Sequence, residues 1–530
     1  MVMAKPSLQE DYWQIFELSD EDVEFIYQYL IEVETPLTPA ELVKVLVQER
    51  IRREIETLEK KRSAGVEIYL PKERYKTGQK LAFPVLGWRQ GKVVEVRPGK
   101  NPDLPPFEVI TVDFEDDEGH QFASNLAEHE LNNPAEVIYD DEALNVDFVI
   151  GNYSDEIYDA IEDGLQKNVD FVKIAGRWFP LALLVDINAG HLNLAEAVLD
   201  MAGGGPLTTL GIMEQVELDS SENPKLVEFS FDFALEQDDR FDEVGPSGSI
   251  LWFLKRLEPK AVLSTPIYLR YTPVEYDRSV LSDDMLMLEQ ELDDELTRNA
   301  PMLSPHHASQ EVDVRLIFPH WVVGTLPLSP RVRPIFPTAY EAPRVRFILK
   351  DGDTGEEFPG WVVRNERYVF GLKEWYENRG LGPGSIVHIS RSKKPGEVII
   401  RAGARRSSRD WMRTVLVGTD GGIVFAMLRQ IVQAEYDERM AIAVPDVENL
   451  EKVWHRPEKQ QPPLERVVVD MVRELTKLNP QGHVHASELY AVVNLVHRCP
   501  PGPILALLAS RPWFVHVGDL HFRFDDSEQN

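Results

Sequence analysis

Cysteine is almost missing: Cys499 is the single one in 530 residues. An internal disulfide is excluded, and the usage fits a reducing compartment. Long apolar runs are missing as well. No stretch of about 18 apolar residues occurs, so no membrane span is expected. The opening text, MVMAKPSLQEDYW, lacks the basic-then-apolar pattern of an export signal, and a soluble cytoplasmic protein is the expectation. Positive charge is scarce: 56 Lys and Arg stand against 89 Asp and Glu, a formal net charge of −33. Such a charge favours solubility and repels bulk nucleic acid. The texts of common enzyme chemistry are absent too. Gly203-Gly204-Gly205-Pro206 has no Lys-Ser or Lys-Thr behind it and reads as a turn. No dinucleotide fingerprint follows a strand, and no nucleophile elbow occurs. His306 with His307, and His483 with His485, are pairs without predictable further ligands, so no metal and no cofactor are expected. Ser487 reads as the cap of the helix that follows. Non-enzymatic function is the expectation.

What is there is modular. The length exceeds one core and suggests several domains. Charge alternates along the chain: residues 61–100 carry about +7, residues 101–150 about −14, residues 151–300 about −19, and residues 361–430 about +7. Ser19 caps a first helix, Thr38-Pro39 opens a second, and ERIRREIETLEKKR reads as a third before the short strand VEIYLP. Strand-like runs bounded by Gly, Pro and Asn follow in residues 76–130, as in a small barrel. A repeat then emerges. Leu165, Phe171, Ile174 and Trp178 are echoed by Leu235, Phe241, Val244 and Trp252, and again by Leu508, Phe514, Val517 and Phe522. The steps from Leu to Phe and from Phe to Ile or Val are identical in all three. The Leu ends a helix, the Phe begins a strand, and an aromatic closes the returning strand. Leu281, Met285, Leu288, Leu292 and Leu296 form one stripe of an acidic connecting helix. Residues 311–402 are rich in strand text, HWVVGTLPL included, with one short helix at KEWYENRG. Beyond them a basic loop precedes helical text, FAMLRQIVQAEYDERM.

The texts from Asp239 to Gly245 with Trp252, and from Trp513 to Gly518 with Phe522, resemble the winged helices of the HARE-HTH group, which includes the RNA polymerase delta subunit family. That resemblance implies a transcription-linked setting with contact to DNA or polymerase. The stretch from Gly91 to Val96 resembles the turn and strand of KOW or Tudor-like barrels. Residues 344–402 resemble the pseudobarrel DNA-binding domains of plant transcription factors and some restriction enzymes. The text carrying it is Asp351 and Asp353 in a turn, Trp361, Tyr368 to Leu372, Trp375, and Leu381 to Gly384. By position the resemblance implies DNA contact by Arg344, Arg346, Arg364 and Arg367, opposed by acidic Glu356 and Glu357.

The expected fold class is therefore multidomain α+β: several winged-helix modules, a small SH3/KOW-like β-barrel and a β-rich pseudobarrel. The division is 1–72 winged-helix-like, 73–135 barrel, 144–275 winged-helix repeat region, 276–310 acidic connector, 311–415 pseudobarrel, 416–460 helical or linker segment, and 461–530 C-terminal winged helix. Nucleic-acid contact is expected at two basic islands. One holds Lys72, Arg74, Lys76, Lys80, Arg89, Lys92, Arg97 and Lys100; the other holds Arg391, Lys393, Lys394, Arg401, Arg405, Arg406 and Arg409. Arginine's planar fork suits phosphate, although the same groups could pair with acids of the chain. Third-helix text is acidic in one copy, PKLVEFSFDFALEQ, and nearly uncharged in another, PGPILALLAS, so those helices suit protein docking better than a major groove. DNA or RNA is thus the expected partner. The alternative is an acidic scaffold contacting a protein such as RNA polymerase.

Overall fold

A computed structural model describes residues 12–63, 66–83, 86, 89–101, 105–114, 117–132, 142–216, 223–297, 310–418, 422–457, 461–525 and 527. They fall into two compact units, residues 1–184 and 185–530. Architecture is mixed helix and strand with several separate sheets. Among the described residues no helix is long and apolar enough to cross a membrane.

The first unit opens with α1 (Asp20–Val33) and α2 (Pro39–Ser63). Asp22 and Ser19 form a capping box at the start of α1. Arg50 of α2 donates to the buried Asp22 carboxylate at 2.8 Å and pins the two helices together. The expected second and third helices are one. No breaker interrupts LVQERIRREIE, and Glu49, at the expected boundary, accepts from both Arg52 (2.8 Å) and Arg53 (2.7 Å) one turn on. A five-stranded sheet follows in sequential order: β1 (Glu67–Ile68), β2 (Lys80–Phe83), β3 (Arg89–Pro98), β4 (Glu108–Phe114) and β5 (Asp117–Ser124). Its core is Tyr69, Leu81, Phe83, Val93, Ile110, Val112 and Phe114. Gly91 lies on this core because a Cβ there would sit 2.4 Å from Val112. Then come α3 (Val146–Gln166), β6 (Phe171–Ile174) and β7 (Arg177–Pro180). Trp178 of β7 bridges back to Leu37, between α1 and α2. The five-stranded sheet is thus an insertion into a helix–strand–helix–helix–hairpin module.

The second unit starts with an uninterrupted version of that order: α4 (Ala189–Met201), β8 (Leu207–Thr208), α5 (Thr209–Met213), α6 (Pro224–Glu236), β9 (Phe241–Glu243) and β10 (Leu251–Leu254). After α7 (Lys260–Leu263) and α8 (Asp283–Leu292) the chain enters a seven-stranded, nearly closed sheet. Its elements are β11 (Glu311–Arg315), α9 (Phe318–Val323), β12 (Thr325–Pro327), β13 (Arg344–Asp351), β14 (Glu357–Val363), β15 (Tyr368–Phe370), α10 (Lys373–Arg379), β16 (Ile386–Arg391) and β17 (Glu397–Ala402). The spatial order is β11-β16-β17-β13-β14-β15-β12. A two-stranded ribbon, β18 (Ala404–Val417) with β19 (Ile423–Ala434), leads through α11 (Val447–Trp454) to a last module. That module comprises α12 (Leu464–Thr476), β20 (Val484–His485), α13 (Ala486–Val493), α14 (Pro501–Ser510), β21 (Phe514–Gly518) and β22 (His521–Phe524).

The three repeats share their pairing. Phe171, Phe241 and Phe514 each begin the first hairpin strand and are buried. Trp178 faces Lys173, Trp252 faces Glu243, and Phe522 faces His516, two residues beyond each Phe. On the other side the same aromatics meet Leu37, Leu207 and Val484. Five residues further on, Leu42, Ile212 and Leu489 are buried at the start of the second helix. Leu165, Leu235 and Leu508 close the third helix inward, each contributing about 1.5–3 kcal/mol of burial. Val517 departs from the pattern: it is exposed, because the hairpin turns at Asp519 and Leu520, both at positive φ.

Other expectations change. HWVV is not strand but part of α9, with Pro319 in its first turn and Gly324, at φ +79°, ending it. The acidic connecting helix stops at Leu292, where Asp293 turns left-handed; Leu281, Met285 and Leu288 still pack into the last module's core, as its stripe requires. The basic loop and the supposed helix after it are the two strands of the ribbon. His485, not Ser487, caps α13, its Nδ1 accepting from the Ser487 amide at 3.1 Å. His306 and His307 lie outside the described residues.

Candidate nucleic-acid interface

Three of the four arginines placed by the pseudobarrel resemblance are engaged inside the chain. Arg344 donates to Asp242 at 2.8 Å and lies 3.2 Å from Glu258. Arg346 lies over the Phe253 ring at 5.5 Å and near Trp361, and burial lowers its pKa. Arg364 donates to the Ala342 carbonyl at 2.7 Å. Arg367 is exposed, with one donor on the Glu295 carbonyl at 3.1 Å. The first two knit the seven-stranded sheet to the second module, where Val244, Phe253, Trp361 and Tyr368 share a core. The signature turn is structural too. Asp351 accepts from Trp375 Nε1 at 2.7 Å and from Arg379 Nε at 3.0 Å. Burial opposes its ionisation, yet these donors pull its pKa down to about 2. Glu357 lies 3.3 Å from Lys350.

Basic groups of the 391–409 island have two fates. Arg391 donates to the Pro334 carbonyl, and Lys394 lies 3.8 Å from Glu397. Lys393, Arg401 and Arg409 are exposed and make no ion pair among the described residues. The side chains of Arg405 and Arg406 lie outside the described residues.

The ribbon adds residues that the sequence reading passed over. In its register Arg409 faces Ile431 and Trp411 faces Arg429. Side chains alternate along a strand, so these four share one face. Trp411 is 61 % exposed and Ile431 64 % exposed, with the Arg429 guanidinium 5.2 Å from the indole centre. Asp410 projects to the other face, held by Ser408 (3.0 Å) and Tyr436 (3.2 Å). An isolated two-stranded ribbon is marginal in water; this one is anchored. Val415 and Phe425 are buried in the last module's core, and Arg413 lies 3.1 Å from Glu488 of α13. The missed signal was GTDGG between VLV and IVF, a hairpin text.

The other island lies in the first unit. Lys72, Arg74, Lys76, Lys80, Lys92 and Lys100 are exposed and make no ion pair among the described residues. Lys80 and Lys92 are direct cross-strand neighbours, an arrangement that disfavours the sheet unless an anion intervenes. Arg89 lies over the Phe114 ring at 4.9 Å, and Arg97 donates to Gln121 at 2.9 Å. Asp113 stands beside Lys92 on the next strand.

Two shifted carboxyls elsewhere have structural partners. Burial pushes the Asp232 carboxyl up to about 7, although Thr209 (2.5 Å) and Trp252 Nε1 (2.8 Å) both donate to it. Burial likewise raises Glu243 to about 8, while it accepts from the Gly245 amide at 2.7 Å. Cys499 is buried and its thiol is pushed up by that burial. No group of three or more His, Cys, Asp or Glu among the described residues is placed to hold a metal. Neither a protein-family model, nor a curated protein, nor a solved structure matches the chain.

Proposed function

We propose that this is a non-enzymatic nucleic-acid-associated protein of transcription or chromosome biology. In this reading the three repeats are winged helices acting as docking modules, the five-stranded sheet is an SH3/KOW-like barrel, and the seven-stranded sheet is a pseudobarrel. Phosphate contact falls to the barrel lysines and the ribbon arginines. One observation carries the reading. The chain has a large excess of acid, and arginines such as Arg50, Arg240, Arg344 and Arg498 take carboxylate partners. Lys80, Lys92, Lys393, Arg401 and Arg409 nevertheless stay exposed with no ion pair among the described residues, although Asp113 is the cross-strand neighbour of Lys92. Local positive charge left open in an acidic chain supports an external anion, and net repulsion sharpens its selectivity for those faces.

The test is fluorescence anisotropy of labelled nucleic acid with the full chain across a salt series from about 50 to 200 mM. Binding at low salt with a slope that flattens by about 0.7–0.9 per lost phosphate contact in K80Q, K92Q and R409Q is expected. No binding at about 50 mM salt overturns the reading.

A second reading has its own support. The outer face of α3 carries exposed Asp155, Glu156, Asp159 and Asp163, and α3 contains no basic residue. Such a helix repels DNA and suits a basic protein surface, as in a polymerase-docking scaffold. Charge reversal of these four would abolish capture of a nuclease-resistant basic partner; unchanged capture would remove that reading.

A further inference from the structure

The ribbon face carries more than charge. Its register places Trp411 diagonal to Ile431 and Arg409 diagonal to Arg429. Along each strand the two residues of a pair are about 7 Å apart. Both apolar members are more than half exposed. Scattered exposed apolar residues need no explanation, but a large aromatic set beside two arginines on an anchored strand pair does. Stability does not account for it: Val415, Phe425 and the Arg413–Glu488 pair fix the far end. The near end is held by the Ala404–Ala434 pairing and the Ser385–Tyr436 bridge. The indole therefore sits on an anchored strand pair, more than half exposed, with the Arg429 guanidinium over its ring.

We infer that the Trp411–Arg429 face stacks an unpaired nucleobase while Arg409 takes a neighbouring phosphate, so that the nucleic acid bound here is single-stranded. This rests on the nucleic-acid reading above and specifies its ligand. In a duplex the base faces are covered by their neighbours, and a phosphate contact alone gives an exposed indole nothing to do. In a single strand each base offers a π-face, and aromatic platforms flanked by arginine use it without regard to sequence. Charge complementarity selects the occupant: Arg409 and Arg429 flank the indole, and Asp410, the acid next to it in the chain, is turned to the opposite face.

The experiment compares a short labelled oligothymidylate with a duplex of equal length, binding to the full chain at low salt, for wild type, W411A, W411F and R409A. Wild type is expected to favour the single strand. W411A should weaken that binding by about tenfold, leave the duplex unchanged and keep its salt slope. W411F should retain affinity within about threefold, and R409A should flatten the slope by about 0.7. Melting temperature serves as the folding check, and W411A should match wild type there because Trp411 lies outside the core. Duplex preference in wild type, or equal single-strand binding by W411A, overturns this inference while leaving the broader reading in place. Absence of binding to either ligand overturns both. Light scattering covers the other occupant: a dimer that W411A converts to monomer would assign the face to a second copy of the chain and refute the proposal.

Discussion

Replacing Arg498 by Met tests how the second unit is held together. Arg498 is fully buried and lies 2.8 Å from Asp294 and 2.6 Å from Glu295. It also donates to Asn494 at 3.1 Å. Tyr490 donates to Asp294 at 2.5 Å, and His320 stands 3.3 Å from Glu295. The network thereby joins the segment after α8, the seven-stranded sheet's α9, and the last module. Methionine fills most of the volume and removes the cation, leaving two buried carboxylates short of a partner. Breaking a buried pair in this way costs about 3–5 kcal/mol. At about 2 °C per kcal/mol for a body this large, the melting temperature should fall by about 6–10 °C. Differential scanning calorimetry at neutral pH reads this directly. Burial works against the charge on Glu295, but Arg498 and His320 outweigh it and hold the carboxyl well below its usual range. A depressed folded pKa stabilises above the unfolded value and loses that stabilisation as pH falls through the folded one. Without Arg498, burial at Glu295 is opposed by His320 alone, so the penalty of R498M should shrink toward about pH 5. The triple variant R498M/D294N/E295Q should recover more than half of the loss. A single variant within about 1 kcal/mol of wild type, or a penalty independent of pH, would refute the reasoning.

Three further outcomes are expected. Asp232 has a raised folded pKa of about 7, so it subtracts stability as pH rises from its unfolded value through that range; D232N should flatten this decline between pH 5 and 8 in thermal melts. G324A should destabilise by about 2 kcal/mol or more in denaturant titration. The residue sits at φ +79° and a Cβ would lie 2.4 Å from the Lys373 amide nitrogen. L165A removes a fully buried side chain, at about 2–5 kcal/mol; hydrogen exchange should quicken in α1 and α2 as well as in β6 and β7, while α12 to β22 stay protected. Exchange confined to residues 146–180 would deny the split module.

How much of this could be read from the sequence depended on distance along the chain. Leu165, Phe171 and Trp178 repeat locally, and the hairpins they describe are there. Their first strand was harder to see, since Leu37 meets Trp178 only across the whole inserted sheet. The text that gives it away is PLT, present at Pro36-Leu37-Thr38 and again at Pro206-Leu207-Thr208. In FAMLRQIVQA, Phe425, Leu428 and Val432 fit a helical stripe as well as Phe425, Met427 and Ile431 fit a strand face. The cross-strand partner from β18 decided it, and periodicity alone carries no record of that partner. The site shows the same limit. Arg344 looked available because its acid, Asp242, lies 102 residues away. Trp411 reads as part of a basic loop, because its exposure follows from a cross-strand register that no local pattern records.

The inserted five-stranded sheet sets the order in which the N-terminal module can be completed during synthesis. The helix pair α1 and α2 emerges with Ile26, Leu30, Leu42 and Leu46 ready to be covered. Their cover, α3, follows only about 80 residues later, a delay of about 4–16 s at ordinary elongation rates. For that interval the apolar faces of the helix pair wait for α3 while the inserted sheet is made. The other two modules, lacking such a detour, close as soon as they are made. Of the three modules, the N-terminal one therefore has the longest wait between its second and third helices.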